Sequence, residues 1–264
     1  MKPTSLPDLY VIGLGVMIPD HVTIQATRAM SQCAKLFSIV QESPRLWLPP
    51  DKLGQIEVIN ALQWYEEDRL RSENYERAAR TIINALGGGM CAGYVTYGNP
   101  MAYDRVAQNL LQYAQEEGLV VQVVPGISSF DTILCDLRLD MAPGIQIFEA
   151  SWMLACRIQP CIDVPVLLMQ VGAFGSLRTH YTKRQNGSSL IDLVEYFCKM
   201  YPRSHQVSLI RSTGQEDHPA VVRDISLGNL CEATAEDLSG ASLYIPPVQM
   251  AMPQKDILAK MSLS

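Results

Sequence analysis

The chain has 264 residues, of which 48% are hydrophobic and 18% charged, and its net charge is -6. That composition excludes a disordered chain, and the length suits one large domain or two modest ones. The acidic balance disfavours non-specific nucleic-acid binding, which calls for a basic face.

Leu9-Tyr10-Val11-Ile12 is an apolar run that stops at Gly13-Leu14-Gly15, which predicts a buried strand ending in a tight turn. Thr23 stands where it can cap a helix running through Ala26, Ala29, Met30 and Ala34. Strands are expected over 37–40 and 56–59, with Pro44, Pro49 and Pro50 making loop between them. Residues 73–86 have helical spacing, ended by Gly87-Gly88-Gly89. A strand over 90–97 stops at Gly98-Asn99-Pro100, a helix over 103–117 stops at Gly118, and a strand over 120–124 stops at Pro125-Gly126. Alternation of this kind predicts a mostly parallel sheet covered by helices, with ligands at the glycine-tipped strand ends.

Beyond that point the pattern changes. Strands are expected over 145–148, 164–170, 206–210, 221–224 and 242–245, with one clear helix over 189–200. This predicts a mixed sheet, and the division is placed between an N-terminal α/β domain, 1–124, and a C-terminal α/β domain, 125–264.

Cys33, Cys91, Cys135, Cys156, Cys161, Cys198 and Cys231 are odd in number and form no Cys-x-x-Cys. They read as reduced thiols, with no metal site, in a cytoplasmic protein. The first seven residues carry no apolar stretch, so no signal peptide is expected. The longest apolar runs fall far below the ~20 residues of a membrane helix, so no membrane partner is expected.

Each glycine turn alone is weak evidence. Gly13-Leu14-Gly15 lacks the third glycine of a dinucleotide site, because position 18 is Ile18. Gly98-Asn99-Pro100 also reads as an ordinary turn, and Pro125-Gly126-Ile127-Ser128-Ser129 as a capped helix start. In order, with Ser242-Leu243-Tyr244-Ile245-Pro246-Pro247 as a closing strand, these motifs resemble the tetrapyrrole (corrin/porphyrin) methylases. The resemblance implies two α/β domains with an S-adenosylmethionine cleft between them, S-adenosylhomocysteine as product, and a homodimer.

A narrower resemblance is to the borosin α-N-methyltransferases, which methylate backbone amides of a ribosomally made precursor peptide. It rests on Tyr97-Gly98-Asn99-Pro100, on Phe148-Glu149-Ala150-Ser151, and on Arg71 followed four residues later by Tyr75. It implies catalytic roles for Arg71 and Tyr75, for the upstream Tyr65, and for Tyr97 beside the methyl donor. An amide nitrogen is delocalised into its carbonyl, so it attacks only once its proton is removed and the imidate charge is held. A tyrosine with an arginine one helical turn away is suited to both tasks. On the spacing alone, a surface arginine shielding a core aromatic is the favoured reading, and the resemblance favours the catalytic one. The sulfonium carries its own electrophile, so this chemistry needs no metal.

Cofactor contacts implied by the motifs are Leu14, Tyr97, Asn99, Ala102, Tyr103, Ser128, Ser129, Gln170 and Ser242. Many borosin enzymes have histidine and glycine where this chain has Asn99 and Met101, so that histidine's role does not transfer. The loop 176–189, with Arg178, His180, Lys183 and Arg184, is a candidate leader clamp or a solvated loop. Seventeen residues follow Pro247, which sets the expectation of a precursor peptide acting in trans. Rival readings are a methylase acting on carbon of a corrin or porphyrin, a ribose methylase, and a non-catalytic donor-binding protein.

Overall fold

Along the first strand, β1 (Leu9–Gly13), Tyr10 and Ile12 point to one face and Leu9 and Val11 to the other, and all four are buried. Successive side chains alternate across a strand, so a run apolar at every position belongs between two layers. The computed structural model describes residues 6–87, 89–179, 186–212, 219–250, 252 and 254–261. In it, β1 is followed by α1 (Ile24–Ser31), β2 (Lys35–Ser38), α2 (Pro44–Trp47), β3 (Glu57–Asn60), α3 (Arg71–Asn84), β4 (Ala92–Thr96), α4 (Arg105–Glu116), β5 (Val121–Val124) and α5 (Ser129–Leu137). The strands form one sheet of order β3-β2-β4-β1-β5, and every pairing in it is parallel.

Tyr10 and Ile12 pack with Ala26 and Met30 of α1. Leu9 and Val11 pack with Ala78 and Ile82 of α3 and Leu110 of α4. Helices therefore cover both faces, as the alternation of strands and helices predicts. Thr23 caps α1 as expected, its hydroxyl accepting the Ala26 N–H at 3.0 Å. Because the strands are parallel, the ends of β1, β2, β4 and β5 all meet one edge. The turns leading into the following helices lie there.

The second sheet contains β6 (Gln146–Glu149), β7 (Val166–Met169), β8 (Gln206–Arg211), β9 (Val221–Ser226) and β10 (Ser242–Ile245), in the order β6-β7-β10-β8-β9. β6 and β7 are parallel and the other pairs antiparallel, so the sheet is mixed. Its helices are α6 (Ala150–Ala155), α7 (Ile191–Phe197), α8 (Ala235–Leu238) and α9 (Lys255–Met261). Leu193 and Phe197 of α7 join Val166, Leu168, Leu209 and Leu243 in its core.

The chain divides into two units: Met1–Leu137 with Ser176–Thr182 and Ser212–Pro219, and Arg138–Gly175 with Lys183–Arg211 and Ala220–Ser264. The first therefore includes α5, beyond the 124/125 division read from composition. Part of the 176–182 segment returns to it through backbone bonds: Asp68 N–H to the Thr179 carbonyl at 2.9 Å and Arg71 N–H to the Leu177 carbonyl at 2.8 Å. The cysteines are free thiols. Among the described residues, no helix is long and apolar enough to cross a membrane, and no group of three or more His, Cys, Asp or Glu could hold a metal ion.

Candidate active site

Four glycines interlock at the carboxyl edge of the parallel sheet. Gly15 and Gly98 exchange backbone hydrogen bonds, Gly15 N–H donating at 3.2 Å and Gly98 N–H at 2.9 Å. A Cβ on Gly13 would stand 2.3 Å from the Gly98 carbonyl oxygen, and one on Gly126 would stand 2.2 Å from the same atom. No side chain fits at either place, so the turns after β1, β4 and β5 close on one another only because these residues are glycine. The sheet order β4-β1-β5 brings those three strand ends together. It is also where strand order reverses, the place at which parallel α/β sheets bind ligands.

The turn after β4 carries most of the polar groups there. Tyr97 is 37% exposed; its hydroxyl accepts the Gln41 N–H at 2.7 Å and donates to the Glu42 carboxylate. Burial first, and then the bond to Glu42, push its pKa up to about 12, so Tyr97 keeps its proton and acts as a donor. Asn99 folds the turn, its side-chain oxygen accepting the Met101 N–H at 3.0 Å and its carbonyl the Ala102 N–H at 2.8 Å. Asn99 is half-buried, and among the described residues its side-chain NH2 makes no hydrogen bond.

Tyr103 corrects the expected helix over 103–117. It is not helical but left-handed, with φ 63°, and 41% exposed. The helix begins two residues later because Asp104 caps it, accepting the Ala107 N–H at 3.0 Å. The other Asp104 oxygen accepts from the buried Tyr94 hydroxyl at 3.0 Å. A non-glycine residue in this conformation costs about 1–3 kcal/mol and persists where its surroundings enforce it, often at functional sites.

Arg71 is the first residue of α3, which follows β3, so it too belongs to the carboxyl edge. Its Nε–H donates to the Tyr75 hydroxyl oxygen at 2.8 Å, one turn along the helix. The Tyr65 ring meets the Tyr75 ring edge-on, with centroids 5.8 Å apart. Burial, then Asp104, then Tyr65 raise the pKa of Tyr94, and Tyr65 packs against the same core cluster as Tyr75. Tyr75 also lines an open groove of about 370 Å³ between α3 and α4, with Ser72, Glu76, Arg105, Asn109 and Tyr113.

Asn74 was not singled out from the sequence. It is fully buried, and its side chain accepts the Glu66 N–H at 3.0 Å and donates to the Glu66 carbonyl at 2.8 Å and the Thr179 hydroxyl at 2.9 Å. It thereby ties both segments flanking Arg71 to α3. Its signal was a polar residue on the apolar stripe shared with Ala78 and Ile82.

The remaining candidates divide. Leu14 is wholly buried in the core, with its N–H donated to the Thr96 carbonyl at 3.0 Å. Ala102 is exposed beside Tyr103. Ser128 caps α5: its N–H and hydroxyl both donate to the Asp131 carboxylate, at 2.7 and 2.8 Å. Its polar groups are thus held by the helix start, whereas Ser129 opens α5 half-buried. In the other unit, Gln170 follows β7 in a left-handed conformation, φ 58°, and the buried Ser242 hydroxyl lies 3.6 Å from the sulfur of the neighbouring Met169. Glu149 caps α6, accepting the N–H groups of Ser151 and Trp152. Of the basic loop, Arg178 donates to the Asp68 carbonyl, while His180, Lys183 and Arg184 lie outside the described residues.

In sequence, residues 8–218 match the family described as Tetrapyrrole (Corrin/Porphyrin) Methylases. A protein of Gymnopus fusipes, described as a methyltransferase/ribosomally synthesized cyclic peptide gymnopeptides precursor, is 25% identical over 262 residues, 97% of this chain and 61% of that protein. The corresponding omphalotin A precursor of Omphalotus olearius is 24% identical over 265 residues, 98% of this chain and 62% of that protein. The chain thus spans about three fifths of the length of these curated relatives. Among solved structures, the methyltransferase CobJ superposes with a TM-score of 0.61, covering 93% of this chain and 96% of that one, at 13% identity. At that identity the likeness is one of fold alone.

Proposed function

Because the chain belongs to the tetrapyrrole (corrin/porphyrin) methylase family, we propose that it transfers the methyl group of S-adenosylmethionine to backbone amide nitrogens of a precursor peptide supplied as a separate chain, and that it works as a homodimer. The observation that carries the reading is the hydrogen bond from Arg71 Nε to the Tyr75 hydroxyl oxygen. The names of the relatives, methyltransferases joined to cyclic-peptide precursors, support the choice of a peptide.

The residues at the carboxyl edge fit the cofactor. The half-buried Asn99 side chain carries an amide NH2, Tyr97 a hydroxyl oxygen whose proton is given to Glu42, and Tyr103 an exposed aromatic ring. Together they suit a ligand with a flat base and a polar tail. When bound, S-adenosylmethionine supplies an electrophilic methyl group on a sulfonium.

The chain's own task is to make an amide nitrogen nucleophilic. Tyr75 Oη is the base proposed for the amide proton, and the Arg71 Nε–H is directed at that oxygen. Among the described residues the other guanidinium N–H groups of Arg71 make no hydrogen bond, and they would hold the oxygen of the resulting imidate. Tyr65 fixes the Tyr75 ring from its edge. The open groove beside Tyr75 leaves room for an extended chain.

The test is to incubate the protein with S-adenosylmethionine and, separately, with peptides encoded beside its gene and with precorrin-type tetrapyrroles, read by tandem mass spectrometry. Methylation of a peptide backbone nitrogen supports the reading. Methylation of tetrapyrrole carbon, or of the enzyme's own chain alone, contradicts it.

A further inference from the structure

Among the described residues, one segment holds the Tyr97 hydroxyl. The N–H of Gln41 and the carboxylate of Glu42 both reach its hydroxyl, and both come from the segment after β2. β2 lies beside β4 in the sheet, so Glu42 stands on the same carboxyl edge as the glycine turns. Glu42 is exposed. Among the described residues, no lysine or arginine stands within ion-pair distance of it. The hydrogen bond from Tyr97 orients this carboxylate but brings no positive charge to balance it.

The methyl donor and its spent product differ at one atom. The donor carries a sulfonium with a full positive charge. The product carries a neutral thioether and one methyl fewer. A fixed, unbalanced carboxylate attracts the first and is indifferent to the second, by Coulomb's law. We infer that Glu42, oriented through Tyr97, gives this site its preference for the cationic donor over the neutral product. The inference rests on reading this edge as the donor site. Glu42 acts as a positioning residue: it fixes the Tyr97 hydroxyl and sets the local charge, and it takes no part in bond making.

Calorimetric titration of wild type and Glu42→Gln with S-adenosylmethionine and with S-adenosylhomocysteine, at low and high salt, tests this. The substitution is expected to weaken donor binding roughly five- to tenfold and to leave product binding within about twofold. Donor affinity in wild type is expected to fall as salt screens the carboxylate, and this dependence is expected to flatten in the variant. Glu42→Ala is expected to give the same change in ratio, which separates charge from any local misfolding of one variant. Equal weakening of both ligands, or an unchanged ratio, overturns the inference and leaves the donor site standing. A wild-type chain that binds neither compound overturns the donor reading itself, and the inference with it.

Discussion

Arg71 Nε donates a 2.8 Å hydrogen bond to the Tyr75 hydroxyl oxygen across the first turn of α3. The proposed chemistry needs both groups at once. Tyr75→Phe and Arg71→Ala are each expected to lower amide methylation by about 10²-fold or more. Donor affinity and melting temperature are expected to change little, since both residues are only partly buried. Single-turnover transfer, measured beside calorimetry with the donor, checks this. Unchanged turnover in either variant removes that residue from the mechanism.

The glycine interlock makes an unequal prediction for two neighbours. Gly126→Ala pushes a Cβ to 2.2 Å from the Gly98 carbonyl oxygen. It is expected to cost at least the ~1–3 kcal/mol typical of overpacking, because backbone must move. Gly98→Ala meets nothing nearer than 3.8 Å but must keep φ +59°, a penalty of about 1 kcal/mol. Urea unfolding is expected to rank Gly126→Ala well below Gly98→Ala. The reverse order contradicts the interlock.

Asn74→Ala leaves the Glu66 N–H and carbonyl and the Thr179 hydroxyl without their partner. A loss of about 1–3 kcal/mol is expected, as for other buried hydrogen-bond groups left unmet. Because those bonds brace the segments beside Arg71, turnover is expected to fall with donor affinity intact. Chemical denaturation and donor titration of the same variant measure the two effects separately.

Tyrosine ionisation gives a prediction with a definite sign. Burial first, in each case, pushes Tyr97 and Tyr201 up to about 12 and raises Tyr94. Above the ordinary tyrosine pKa of about 10, the unfolded chain has lost protons that the folded chain keeps. Stability from these groups is therefore complete below about pH 10 and is lost as pH rises toward 12. Urea midpoints measured from pH 8 to 11.5 are expected to fall only in the upper part of that range. Tyr97→Phe is expected to reduce the fall.

What could be read from the sequence was local. Leu9 to Gly15 announced a buried strand and its turn, and Arg71 and Tyr75 announced a pair, because in each case the partners lie within one turn or one strand of each other. The interlock of Gly13, Gly98 and Gly126 depends on sheet order, which no spacing records. The Glu42–Tyr97 bond joins residues 55 apart, for the same reason. Tyr103 was read as helical because apolar periodicity runs through it. Its left-handed turn immediately precedes the Asp104 cap, and side-chain pattern does not report φ. Ser128 allowed two readings, a cap or a ligand contact, and Asp131 three residues on takes up its hydrogen bonds.

The most direct test of the central claim follows the methyl group and its acceptor atom together. Wild type, Arg71→Ala and Tyr75→Phe are each given donor labelled with deuterium in its methyl group and a precursor peptide encoded beside the gene, and the products are fragmented by tandem mass spectrometry. The account predicts label on backbone nitrogen with wild type and almost none with either variant, although all three bind the donor. Label on a side chain or on tetrapyrrole carbon, or equal labelling of the backbone by all three proteins, would contradict it.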